Sequence, residues 1–232
     1  MNNSGYDSNE SLPQWNMYTP DMTGVRITLP KRMFDYKPFV VPESLYPIMK
    51  GDFYSPIPFE KIFGPTYLIL PIFLGEKDFG RVVKYVSDFE NRKNEATLSN
   101  INTNGIANIK IPDPIGIASL KSPDWEFQKE YRFVLFIVPS PDIPKNENYF
   151  NQLAKQLPDL VATSLYHGRG PDLDYFDLNI GEEVLNSISI TTGPLCTEGD
   201  FVIVESLVGK YTSNGKVVKS RFTGTVRKSK IR

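Results

Sequence analysis

The sequence predicts an α+β fold, with a mixed or mainly antiparallel sheet, two or three helices and a proline- and aromatic-rich insertion. Three observations lead there. Short β-favouring runs recur along the chain, the clearest being the octet Tyr131 to Val138, with no polar residue after Arg132. Apolar residues at helical spacing sustain a long stripe in only two places, Asn148 to Tyr166 and Thr197 to Tyr211. Five prolines (Pro38, Pro42, Pro47, Pro56, Pro58) crowd the stretch 36–64, a composition that suits extended, irregular chain better than helix or central strand. The 232 residues, 40% of them hydrophobic, are expected to form a single domain over 1–232.

The polar residues 1–11 are expected to fray, with Trp15 and Tyr18 the first ordered features. Gly24 to Leu29 alternates apolar and polar and reads as a strand closed by Pro30, with a short helical turn from Lys31 through Phe34. Thr66 to Phe73 and Arg81 to Ser87 read as strands joined by a loop of hairpin-compatible composition. Asn91 to Asn108 is polar and asparagine-rich and reads as a mobile loop. The helix from Asn148 should kink or end its first half at Pro158. Tyr175 to Ile180 and Ser187 to Thr192 read as short strands around one helical turn at Gly181 to Leu185. Thr197 is a candidate N-cap for the last helix, and Val217 to Phe222 and Thr225 to Arg227 are strand-like.

Composition narrows the chemistry. Lys plus Arg (26) nearly balance Asp plus Glu (27), so the global charge of a nucleic-acid or anionic-membrane binder is missing, although a basic run from Lys216 to Arg232 closes the chain. Cys196 is the only cysteine and His167 the only histidine, which removes intrachain disulfides and disfavours thiolate or histidine metal sites and histidine-dependent triads. No metal is expected. The N-terminus has neither a basic n-region nor an apolar h-region, and the longest apolar run, Thr66 to Leu74, contains Pro71 and is too short to span a bilayer. The expectation is a cytoplasmic protein that avoids membranes.

Acid/base work therefore falls mainly to carboxylates and tyrosines. The segment Lys121 to Arg132 places Gln128, Glu130 and Arg132 at spacing two, which in a strand is one face at the mouth of the core. A carboxylate there either closes a structural ion pair with Arg132 or Lys121, or is held rigid to stabilise developing positive charge. Gln128 would offer substrate a neutral donor and acceptor. Trp15 and Tyr18, three apart, either form an aromatic platform for a base or nicotinamide ring or pack in the core. Gly24 either lets backbone approach a ligand or serves a turn. Tyr166-His-Gly-Arg-Gly170 lacks the phosphate-loop pattern and reads as a surface loop.

Taken in order, Trp15-Asn-Met-Tyr18, Gly24-Val-Arg-Ile27, Val83-Lys-Tyr85, Trp125, Gln128, Glu130 and Arg132, Ile190-Thr-Thr-Gly193, and Val218-Lys-Ser220 resemble a bacterial family known as domain-of-unknown-function family 2971. Members usually carry some tens of residues before the Trp-x-x-Tyr element, so the chain is expected to be an N-terminally shortened member. The aromatic strands and the late Gln-x-Glu are also similar to ADP-ribosyltransferases. That resemblance implies an NAD-cleaving enzyme in phage defence or a toxin-like role. Glu130 would be catalytic and Gln128 would help to choose the acceptor. Trp15, Tyr18 and Arg132 would hold NAD, a substrate rather than a covalently bound cofactor, and the acceptor is left open between protein and nucleic acid. The alternative is a non-catalytic binding domain or an inactive truncated homologue.

Overall fold

The computed structural model describes residues 10–40, 53–75, 79–96, 98–101, 107–110 and 114–227. In chain order these begin with α1 (Leu12–Tyr18), β1 (Val25–Thr28), β2 (Lys37–Phe39), β3 (Phe53–Ser55) and β4 (Tyr67–Ile69). Next come β5 (Gly80–Val82), β6 (Lys84–Tyr85), α2 (Phe89–Ala96), β7 (Leu98–Ile101), β8 (Ala107–Lys110) and α3 (Pro114–Ala118). After β9 (Leu120–Lys121) a 3-10 helix, Pro123–Gln128, leads to β10 (Tyr131–Phe133) and β11 (Ile137–Pro139). The chain continues through α4 (Tyr149–Tyr166), α5 (Glu182–Asn186), β12 (Ser189–Thr192), α6 (Glu198–Tyr211) and β13 (Lys216–Lys219). The class is α+β: the ladders are short and mostly antiparallel, and only α4 and α6 exceed eight residues among the described elements.

These elements fall into two compact units. The first takes the described residues of Met1–Asp35, with Phe127–Lys129 and Asn179–Arg232. The second takes those of Tyr36–Glu126 and Glu130–Leu178.

The first unit is built on a three-stranded mixed sheet, ordered β1-β12-β13. Strand β12 runs antiparallel to β1 (Ile27 opposite Ile190) and parallel to β13 (Ile190 opposite Val217). A parallel pair needs a crossover, and α6 supplies it, lying against β13. Phe201, Val204 and Val208, spaced three and four apart, are the least exposed apolar residues of α6, and Val208 is buried. Its start is fixed by a capping box: the Thr197 hydroxyl accepts from Asp200 N–H, and Asp200 Oδ2 accepts from Thr197 N–H at 2.8 Å. At the end of β12 the Gly193 amide donates to Gly24 O at 2.8 Å, and a side chain at Gly193 would press against the Met22 carbonyl. Gly24 is itself tightly placed, since a Cβ there would run into the Thr19 side chain.

The second unit is a set of two-stranded ladders around apolar side chains: β2 with β3, β4 with β11, β5 with β10, β6 with β9, and β7 with β8. Two-stranded ladders are marginal alone, so side chains must bind them together. One such cluster is aromatic. The Phe59 ring lies 5.4 Å from Phe39 and 5.0 Å from Phe63, and Phe63 meets Tyr149 and Phe150 of α4 at 5.9 and 5.4 Å. The proline-rich stretch 36–64 is thus held by its own rings and by α4. Its described part pairs Phe39 with Phe53 and turns through a 3-10 helix at Phe59–Ile62, while 41–52 lies outside the described residues.

Several sequence expectations need correction. The octet Tyr131 to Val138 is two strands on different ladders, because Tyr131–Phe133 pairs with Gly80–Val82 whereas Ile137–Pro139 pairs with Tyr67–Ile69. The same pairings show that β4 and β5 do not form a hairpin with each other. The polar stretch 91–108 contributes to helix α2 and to the ladder β7·β8, with 97 and 102–106 outside the described residues. Lys31 to Phe34 forms no helical turn; Phe34 bridges Ile180 instead, and that bridge is all the strand character found in Tyr175 to Ile180. Helix α4 runs through Pro158 without ending there. Thr225 to Arg227 forms no strand. Of the stretch expected to fray, 1–9 lies outside the described residues, whereas Glu10 is buried and bonded to Arg221.

The Thr197 cap gives a direct test of the α6 start. Thr197→Ala removes the hydroxyl half of the box and is expected to cost about 1 kcal/mol in urea unfolding, with Thr197→Ser restoring most of it.

Candidate functional site

The five residues singled out in the sequence separate into two sets. Trp15, Tyr18 and Gln128 belong to the first unit, Glu130 and Arg132 to the second. The local reason lies in the backbone. Gln128 ends the 3-10 helix and Lys129 takes φ 47°, in the left-handed region that a lysine seldom occupies. Residue 131 then begins β10. Gln128 is therefore not on the strand, and the expected single face of Gln128, Glu130 and Arg132 does not form.

In the first unit, α1 presents its two aromatics differently. Trp15 is 4% exposed and packs inward, whereas Tyr18 is 65% exposed. The Gln128 side-chain amide donates to the Tyr18 hydroxyl, and Gln14 Nε2 donates to the Gln128 carbonyl at 2.9 Å. These two bonds hold an exposed aromatic ring in place. Beside it lies a hollow of about 280 Å³ lined by Ser11, Gln14, Trp15, Tyr18, Thr19, Val25 and Arg26. Its walls are mainly apolar and aromatic, with one guanidinium, so they suit a planar group bearing negative charge. A second hollow of about 420 Å³ shares Ser11 and Gln14 with the first and adds Glu10, Gln128, Lys129 and Arg221.

In the second unit, Glu130 is enclosed by partners. Its Oε1 accepts from Lys121 Nζ, and its Oε2 accepts from Arg132 Nε at 2.9 Å. The Glu130 amide donates to the Tyr85 hydroxyl at 2.8 Å. Arg132 Nη1 donates to Ala118 O at 2.7 Å, and Lys121 Nζ sits 4.9 Å from the centre of the Trp125 ring. Burial of Glu130 opposes ionisation, but the hydrogen bonds and charges of Lys121 and Arg132 outweigh it and hold the carboxyl below the usual glutamate range. Both oxygens are engaged, which is the arrangement of the structural ion pair anticipated as one alternative.

Two other features change their reading. His167 is exposed and follows the C-terminus of α4, an end whose dipole disfavours anions, so the His-Gly-Arg-Gly segment gains no phosphate-binding geometry. Cys196 donates from Sγ to Thr23 O at 3.0 Å, and burial followed by the Asp200 charge raises its thiol pKa, against the opposing Gly193 backbone hydrogen bond. Sequence reasoning missed Glu10, Arg26 and Arg221 at the two hollows, and Tyr85 as a partner of Glu130. Nothing local marks the first three, which gather from opposite ends of the chain.

No family model, curated protein or solved structure matches this chain. Among the described residues no helix is long and apolar enough to cross a membrane.

Because the folded Glu130 carboxyl titrates below its unfolded value, its contribution is present above the unfolded pKa of about 4.3 and is lost as pH falls through the folded value. Glu130→Gln is expected to lower stability by about 2 kcal/mol at pH 7, with the gap to wild type narrowing below about pH 4 in urea melts. For Cys196, the raised thiol pKa predicts slower labelling by a disulfide reagent at pH 7 in the native protein than in urea, where the burial is lost.

Proposed function

We propose that the first unit is a binding module for a small nucleotide, and that Glu130 is a structural clamp rather than a catalytic carboxylate. The observation that carries this reading is the pre-set Tyr18 ring, pinned by Gln128 at the edge of the Trp15-lined hollow. An exposed tyrosine with a fixed ring loses little freedom on stacking against a base, and Arg26 in the same wall favours an anionic ligand.

The competing proposal is the NAD-cleaving enzyme that the resemblance to ADP-ribosyltransferases implies, acting in phage defence or as a toxin. In its favour, Glu130 stays ionised, as a carboxylate that stabilises an oxocarbenium-like transition state must. It also requires Lys121 or Arg132 to release a carboxylate oxygen when substrate arrives.

Calorimetric titration with AMP and NAD, beside an NAD-consumption assay, separates the two. The binding module predicts saturable binding that Tyr18→Ala weakens by about tenfold or more, with no NAD turnover. Turnover by wild type that disappears in a folded Glu130→Ala variant would replace it with the enzyme. Absence of binding by either nucleotide would remove the module reading.

A further inference from the structure

We infer that the larger hollow of the first unit is a ribose-phosphate subsite in which Glu10 accepts hydrogen bonds from the sugar hydroxyls. The inference rests on the nucleotide reading above and deepens it. Glu10 is 9% exposed. Its Oε2 accepts from the Arg221 amide at 2.7 Å, and its backbone carbonyl accepts from Arg221 Nη2 at 2.7 Å, so the residue is fixed in the wall of the hollow. Its second carboxylate oxygen, Oε1, is buried and receives no hydrogen bond among the described residues. A buried carboxylate oxygen without a donor is costly, and a ligand hydroxyl that reaches Oε1 supplies one.

The rest of the wall narrows what that donor belongs to. Lys129 and Arg221 outnumber the single Glu10 carboxylate among the charged side chains there, so a bare cation is disfavoured. A group that pairs neutral hydroxyl donors with an anion fits better: hydroxyls on Glu10, phosphate toward Lys129 and Arg221. The hollow, about 420 Å³, has room for a sugar phosphate. Ser11 and Gln14 border both hollows, so one molecule with its ring against Tyr18 can extend its sugar past Gln14 toward Glu10. A carboxylate oxygen is a general means of reading a ribose hydroxyl by accepting its hydrogen bond, and here Oε1 is the oxygen not already bonded to Arg221.

The test compares AMP with 2′,3′-dideoxy-AMP by calorimetric titration of the full chain and of Glu10→Gln. A site built to pair a hydroxyl discriminates against the analogue lacking it, so wild type is expected to favour AMP by about tenfold or more. Glu10→Gln keeps an acceptor for the Arg221 amide and is expected to bring the two affinities within about twofold of each other, chiefly by weakening AMP. Equal binding of both ligands by wild type overturns the ribose subsite while leaving the nucleotide module standing. No binding of either overturns both. The wild-type comparison decides the matter even where Glu10→Gln fails to fold.

Discussion

One carboxylate ties together several short strands of the second unit. The strands of that unit occur as ladders of two to four residues, none of which would persist alone. Glu130 stands where several of them meet. It draws Lys121 of β9 to one oxygen and Arg132 of β10 to the other, while its amide holds Tyr85 of β6. Arg132 carries the tie onward to the carbonyl of Ala118 in α3. The charges are partly shielded, with side-chain exposures of 22% for Lys121 and 25% for Glu130, so the pairing is stronger than on an open surface and cheaper than in a dry core. One ion cluster thereby joins β6, β9, β10 and α3, as the aromatic cluster joins the stretch around Phe59 to α4.

The same segment explains why the site has a different shape from the one its residues suggest. Spacing two along a strand would have aligned an amide, a carboxylate and a guanidinium toward one substrate. The left-handed Lys129 instead lets Gln128 turn to Tyr18 while Glu130 turns to Lys121, giving neighbouring residues different tasks. Gln128 fixes an aromatic ring beside a hollow, and Glu130 fixes a fold. That division makes the Tyr18 ring and the Glu130 clamp separable by mutation.

Helix α6 and the three strands of the first unit were legible in the sequence, whereas α1 was not. Thr197 with Asp200 three residues later marks a helix start, and the apolar spacing through Val208 carries it to Tyr211. The alternation at Val25 to Thr28 and the run ending at Thr192 mark the strands that pair. The second unit was less legible because one run of residues serves two different ladders and another hides its elements in polar sequence. Tyr131 and Ile137 sit in one apolar run, yet their ladder partners, Val82 and Ile69, belong to separate strands. The polar residues 91–108 hide a helix and a ladder because no apolar periodicity announces them.

By itself the sequence determined the α+β class, both long helices, the α6 cap and the scarcity of histidine and cysteine. These follow from composition and from contacts three or four residues apart, where the energetics are local. Only the tertiary structure decided that Glu130 is saturated by Lys121 and Arg132, that Tyr18 is exposed and pinned while Trp15 is buried, and that Glu10 meets Arg221 across the whole chain. Those outcomes turn on which polar groups find partners on burial: for Glu130 the choice lay between an ion pair and an open site, and for Tyr18 and Glu10 the partner lies 110 and 211 positions away, where no local pattern marks it.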